Sequence, residues 1–181
     1  CVQKAPFVSY RLVPMAATYS RHRCSSTIAP RRSHAPRARR RMRKRAHLRL
    51  IVITDKSMAA PRSIDDVVRA ALAAGAPAIQ LRDKTANARH LLDDARRLRA
   101  LTREYQALFF VNDRLDVALA CGADGVHLGP DDIPLAAVRN SVPAPFMIGV
   151  STDDPATALA AQTAGADYIG SGAEFGTTSK I

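Results

Sequence analysis

From residue 48 onward, short continuous apolar runs alternate with amphipathic stretches. The runs, rich in β-branched and aromatic residues, predict strands over 48–53, 78–81, 108–111, 125–128, 146–150 and 168–170. Between them, apolar residues recur at helical spacing. Leu91, Leu92, Ala95, Leu98 and Leu101 form one such stripe, and the spacing predicts helices over 64–74, 86–105, 115–121, 134–140 and 155–164. Ser63, followed by Asp65 and Asp66, supplies a cap and first-turn negative charge for the first helix. Pro134 suits the first turn of the fourth. A weak repeat punctuates the series. Gly75-Ala76, Gly122-Ala123 and Gly165-Ala166 each close a helix and lead into a strand, as expected where a helix ends in the left-handed conformation.

Six strands alternating with five helices imply a parallel sheet with right-handed crossovers. A doubly wound open sheet gathers its chemistry at one switch point. A TIM-type (β/α)8 barrel spreads it over one face, at the C-terminal ends of many strands. Here the ends of strands two through six all carry unusual polar residues, which favours the barrel. With about six strands the barrel is incomplete, since closure takes eight.

Residues 1–46 follow a different pattern. The first 50 residues hold 14 Lys or Arg and no Asp or Glu, so the remaining 13 basic and 16 acidic residues give the rest of the chain a net charge of 13 − 16 = −3. The overall +11 is therefore a property of the N-terminal segment alone. No apolar period is sustained there, and 1–46 reads as a disordered, Arg-rich extension to a domain spanning 47–181. The extension is read first as an unstructured or non-native addition, with Met42 a natural start. A transit-type peptide, which would imply an organelle, or a nucleic-acid-binding arm are the alternatives. A composition 47% hydrophobic suits a globular core. No apolar run approaches the roughly 20 residues of a membrane span, and no secretory signal is visible. Cys1, Cys24 and Cys121 are scattered, without metal-ligand or disulfide spacing, so a cytoplasmic setting is expected. Nothing in the sequence speaks to oligomeric state.

The chemistry-bearing residues cluster after the strands. In Gln80-Leu81-Arg82-Asp83-Lys84, alternation puts Gln80, Arg82 and Lys84 on one face and turns Ile79 and Leu81 toward the helices. Two cations and an amide on one inward face suit a diphosphate, although a solvated strand end has the same composition. Asn112-Asp113-Arg114 and Gly129-Pro130-Asp131-Asp132 each bring a carboxylate to that face, and magnesium takes one or two carboxylates plus phosphate oxygens. A plain capping turn is the other reading of the second, and spacing does not separate Asp131 from Asp132. Ser151 and Thr152 offer hydroxyls either to phosphate or to the next helix. Gly176-Thr177-Thr178-Ser179-Lys180 is a phosphate cradle or a polar tail. His127, inside a strand, reads as a core or hydrogen-bonded histidine, and Cys121 as buried filler.

Taken together, QLRDK, VNDRLDVALACGADGVHLGPDD, IGVST and ADYIGSG with TTSK resemble the thiamine-phosphate synthase family, collinearly from about Leu48 to Lys180. The intervals agree as well as the letters: Lys84 to Asn112 is 28 residues, Asp113 to Asp132 and Asp132 to Ser151 are 19 each, and Lys180 follows 29 later. The resemblance implies a transferase of thiamine biosynthesis that joins hydroxymethylpyrimidine diphosphate to hydroxyethylthiazole phosphate and releases pyrophosphate. It implies that the segment Gln80, Leu81, Arg82, Asp83 and Lys84, with Asn112, Ser151 and Lys180, binds the pyrimidine diphosphate, with Arg82, Lys84, Ser151 and Lys180 carrying catalysis. It assigns Asp113 and Asp132 to a magnesium ion, and Thr177, Thr178 and Ser179 to the thiazole phosphate. The implied chemistry is dissociative. The diphosphate leaves, a pyrimidine-methyl cation forms, and the thiazole nitrogen attacks it. This needs cations on a leaving group and no protein nucleophile.

Ala173 and Gly176 stand where the family has prolines, and Ser179 where it commonly has threonine. Two further β/α units of the family lie beyond Ile181, so the chain alone is expected to be a poor catalyst. The rivals are a thiazole tautomerase of the same barrel family, which has no need of the Asp113–Asp132 pair, and a non-catalytic barrel whose basic arm binds nucleic acid.

Overall fold

The computed structural model describes residues 12–14 and 47–172. Its elements in chain order are β1 (Leu12–Pro14), β2 (Val52–Ile53), α1 (Lys56–Ala59), α2 (Ile64–Ala73), β3 (Ala78–Leu81), α3 (Ala88–Glu104), β4 (Leu108–Asn112), α4 (Leu115–Cys121), β5 (Gly125–Leu128), α5 (Leu135–Ser141), β6 (Met147–Ser151), α6 (Pro155–Thr163) and β7 (Tyr168–Gly170). Strands β2 through β7 lie side by side in chain order, all parallel. A doubly wound sheet reverses its order at a switch point. Here there is no reversal, and the six strands with their helices form a half-barrel of the TIM-like class.

Local chemistry explains the element ends. The Ser63 Oγ accepts from the Asp66 N–H and donates to its carboxylate, fixing the start of α2. Asn87 caps α3 through the His90 N–H, and Asp154 caps α6 through the Thr157 N–H. Gly75, Gly122 and Gly165 have φ of 90°, 66° and 95°, the left-handed helix ends that the repeat predicts. The first strand is shorter than its apolar run, starting at Val52, because Leu48 and Arg49 turn instead; Leu48 packs inside the barrel. The short helix α1 has no apolar stripe to announce it. It exists because the Asp55 carboxylate accepts from the Ser57 and Met58 N–H groups.

The sheet separates two cores, as strand alternation requires. Ile79, Leu81, Phe109, Val111, Val126, Leu128 and Ile148 pack outward against Leu91, Leu98 and Val138 of the helices. Ala78, Leu108, Phe110, Met147 and Tyr168 face inward with Leu48.

The N-terminal ends of the strands carry a repeated anchor. Asp124 accepts from Arg99 at 2.8 Å and from the Phe109 N–H at 3.0 Å. Asp167 accepts from Arg139 at 2.6 Å and from the Ile148 N–H at 2.9 Å. In each case the aspartate of a Gly-Ala-Asp ties the neighbouring strand to a helix.

Residues 12–14 form a strand antiparallel to β7, with Leu12 opposite Gly170. The physical reason is the outer edge of β7, whose N–H and C=O groups seek partners. Pro14 is tolerated on such an edge. The other residues of the 1–46 segment lie outside the described residues.

Candidate functional site

The polar residues converge on the C-terminal ends of β3 to β6. The Gln80 side chain, itself buried, donates from Nε2 to Asn112 Oδ1 at 2.8 Å. A buried amide without such a partner would cost about 1–3 kcal/mol, so the pair explains how an amide sits inside the barrel. Thr54, beyond β2, accepts the Arg82 N–H at 2.9 Å through its Oγ1, extending the pairing that brings Arg82 to the rim.

Asp113 is the strained residue of the site. Its φ is +62°, in the left-handed region that few non-glycine residues adopt, Asp being among the more tolerant. Two bonds hold it there. Its N–H donates to the His127 carbonyl at 2.8 Å, and the next N–H, of Arg114, turns back to the Asn112 carbonyl at 2.7 Å. Strain of this kind persists where the surrounding structure over-determines it, commonly at functional positions.

The strain delivers the Asp113 carboxyl to Asp132, with which it shares a hydrogen bond. Burial, then that bond and the Asp132 charge, push the Asp113 pKa up from 3.8 to about 6, while Lys84 and Arg82 pull it down. Two carboxyls forced together and faced by two cations form an anionic pocket within a cationic rim. Asp132 is fixed from its other side by the Gly129 N–H, at 2.6 Å to Oδ2. Asp131 is exposed, whereas Asp132 is half-buried and meets Asp113. Geometry thus separates two neighbours that spacing left equivalent.

Two members of the QLRDK segment face elsewhere. Leu81 is buried among the helix-facing residues. Asp83 accepts from the Thr85 and Ala86 N–H groups at 3.0 Å each and from Lys56 Nζ at 2.7 Å. Lys56, foremost, holds the Asp83 carboxyl far below the usual carboxylate range. Asp83 therefore shapes the turn that presents Arg82 and Lys84. Lys84 itself is exposed.

Ser151 sits at the end of β6, its Oγ 2.9 Å from His127 Nε2, and His127 Nδ1 lies 3.1 Å from Tyr168 Oη. Sequence reading makes His127 a core or hydrogen-bonded histidine and does not single out Tyr168. Their association depends on strand register, which no local pattern carries. Thr177, Thr178, Ser179 and Lys180 lie outside the described residues. No helix among the described residues is long and apolar enough to cross a membrane.

Comparison with known proteins finds similarity to one family. The family model described as Thiamine monophosphate synthase matches residues 50–181. A thiamine-phosphate synthase of Methanoregula boonei is 51% identical over 133 residues, covering 74% of this chain and 62% of the relative. One from Gloeobacter violaceus is 53% identical over 115 residues, 64% of this chain and 34% of the relative. The solved structure of a thiamine phosphate pyrophosphorylase from Pyrococcus furiosus superposes with a TM-score of 0.70 at 46% identity, covering 76% of this chain and 66% of its own. The chain thus spans roughly three fifths of the length of the first relatives, 62% in the Methanoregula case.

Proposed function

The chain belongs to the thiamine monophosphate synthase family, and on that premise we propose that the full-length protein joins a hydroxymethylpyrimidine diphosphate to a hydroxyethylthiazole phosphate, releasing pyrophosphate. The observation that carries this reading is the Asp113–Asp132 pair, brought together by a left-handed backbone and faced by Arg82 and Lys84. Two carboxylates beside a cationic rim suit one hard divalent cation, which Asp113 and Asp132 would hold, and magnesium is the ion of that chemistry. The donor set fits it, because the two carboxyls are held against each other rather than each against a cation of its own. Bound there, magnesium would act as a Lewis acid on the leaving diphosphate.

The chain's own residues do the rest. Arg82 and Lys84 neutralise charge that grows on the departing diphosphate, an effect worth most where the donors are fixed beforehand. The Thr54 hydroxyl and the Lys56–Asp83 pair supply that fixing for the Arg82–Lys84 turn. Gln80 and Asn112 hold each other in place beneath, leaving the Gln80 carbonyl and the Asn112 amide hydrogens for the pyrimidine diphosphate. Ser151 adds a hydroxyl at the same rim. With Lys180 and the hydroxyls of Thr177, Thr178 and Ser179 completing the phosphate contacts, departure of pyrophosphate leaves a pyrimidine-methyl cation for the thiazole nitrogen. No step calls for a protein nucleophile.

The test is pyrophosphate release by the full-length protein from the two substrates, with and without magnesium. Release that requires both substrates and the metal, and that falls by roughly a hundredfold or more in Asp132→Asn, is expected. Metal-independent turnover, or isomerisation of a thiazole carboxylate phosphate instead, would overturn the reading in favour of a tautomerase.

A further inference from the structure

Across the middle of the sheet, Asn112, His127, Gly149 and Tyr168 are successive partners in one row. Inward-facing side chains on β5 and β7 are normally kept apart by the one on β6 between them. Here that position is Gly149. A Cβ on it would collide with the Tyr168 ring, so the absent side chain is what lets Tyr168 cross β6 and reach His127. The two rings lie 5.5 Å apart. One row higher, Ser151 is paired with Gly170, and a Cβ on Gly170 would stand 3.2 Å from His127 Cε1. Two glycines therefore make room for a continuous chain of polar atoms from Tyr168 Oη through both imidazole nitrogens to Ser151 Oγ.

Where the protons sit in this chain can be worked out. Tyr168 is buried, and among the described residues its hydroxyl has one hydrogen-bond partner, His127 Nδ1. A phenol in such a place is strongly disfavoured as an anion, burial pushing its pKa well above the ordinary value. Its hydrogen needs an acceptor, since an orphaned buried donor costs about 1–3 kcal/mol. Nδ1 must then be the acceptor, which puts the imidazole hydrogen on Nε2. Nε2–H donates to Ser151 Oγ, and the serine hydrogen is left free. In the opposite arrangement Ser151 would spend its hydrogen on Nε2 and could offer an anion only lone pairs.

We propose that Tyr168 and His127 are positioning residues that turn Ser151 into an obligate hydrogen-bond donor toward the leaving diphosphate. This rests on the reading above that Ser151 meets that diphosphate.

The experiment uses the 15N-labelled full-length protein. Long-range 1H–15N correlation reads the His127 tautomer, and calorimetry with magnesium pyrophosphate reads affinity. Expected are the Nε2–H tautomer in the wild type and its loss in Tyr168→Phe. Affinity should weaken about tenfold in Tyr168→Phe and in Ser151→Ala alike, with no further loss in the double variant. His127→Gln, whose amide can donate to Ser151 without help from Tyr168, should recover most of the affinity. A Nδ1–H tautomer in the wild type, or full affinity in Tyr168→Phe while Ser151→Ala is weakened, would overturn the relay and leave the diphosphate assignment standing. Full affinity in Ser151→Ala would remove that assignment, and the relay with it.

Discussion

Replacing Asp113 by Asn should stabilise the metal-free protein and abolish its response to magnesium. In the folded chain the Asp113 pKa rises from 3.8 to about 6, chiefly through burial and then through Asp132. At about 1.4 kcal/mol per tenfold change, ionising Asp113 at neutral pH costs the folded state about 3 kcal/mol. The residue is only partly buried, and solvent screening brings a realistic figure to about 1–2 kcal/mol. Asn removes that charge, keeps a hydrogen bond to Asp132, and tolerates φ of +62° as well as Asp does. The sign follows from proton binding. Between about pH 4 and 6 the folded protein holds a proton that the unfolded chain has released, so wild-type stability falls as pH rises through that window. The variant lacks that slope.

The assay is urea unfolding of both full-length proteins without divalent ions, at about pH 4 and at neutral pH, then with magnesium in excess. The two should agree in acid and diverge at neutral pH, the Asp113→Asn variant being the more stable by about 1–2 kcal/mol. Magnesium should then raise the wild type and leave the variant unmoved, because an ion that binds only the folded state stabilises in proportion to its occupancy. An Asp113→Asn protein less stable than wild type at neutral pH, or an equal magnesium response in both, would refute the reasoning.

Other substitutions separate the parts of the molecule. Gly149→Ala should destabilise by about 3 kcal/mol, the upper end of overpacking costs, and shift the Tyr168 ring signals in an NMR spectrum. Arg139→Met should cost about 2 kcal/mol in urea unfolding, because Asp167 loses its cation while still bonded to the Ile148 N–H, yet should leave pyrophosphate affinity unchanged. Lys56→Met should cost about 1 kcal/mol at neutral pH, given the exposure of Lys56. Because Asp83 is held below its ordinary range, that cost should shrink as acid protonates the carboxylate in both proteins, which a pH series of unfolding curves reads directly.

The strands and helices were legible because their periods differ. A continuous run such as 108–111 and a stripe such as Leu91 to Leu101 leave little room for exchange, and the two elements stand at Leu108–Asn112 and Ala88–Glu104. Helix ends were legible where one residue sets them, as Ser63 and the three left-handed glycines do. The α1 turn escaped notice because it owes its existence to a single aspartate side chain. The pairing of residues 12–14 with β7 was equally hidden, since edge pairing depends on an empty partner and not on pattern. In the site, alternation placed Gln80 inward and Leu81 outward. It did not separate Asp131 from Asp132, because that choice turns on the Gly129 N–H and the approach of Asp113. Nor did it join His127 to Tyr168, 41 residues on, because their meeting requires register across three strands and a glycine between them.

These contrasts share one physical cause. At the N-terminal ends of the strands, Asp124 and Asp167 each meet an arginine and also close a backbone N–H. At the C-terminal ends the pattern inverts. A carboxylate faces a carboxylate, a backbone is held left-handed to keep them together, and glycines clear space for polar side chains to cross the sheet. Like charges held together and a left-handed backbone cost stability in the empty protein, and under the proposed function a cation and an anion binding together would offset that cost. The opposite behaviour of the two ends is therefore the strongest local argument for where ligand binds. It predicts opposite signs: neutralising a charge at the lower end should destabilise, whereas neutralising Asp113 at the upper end should stabilise and disarm.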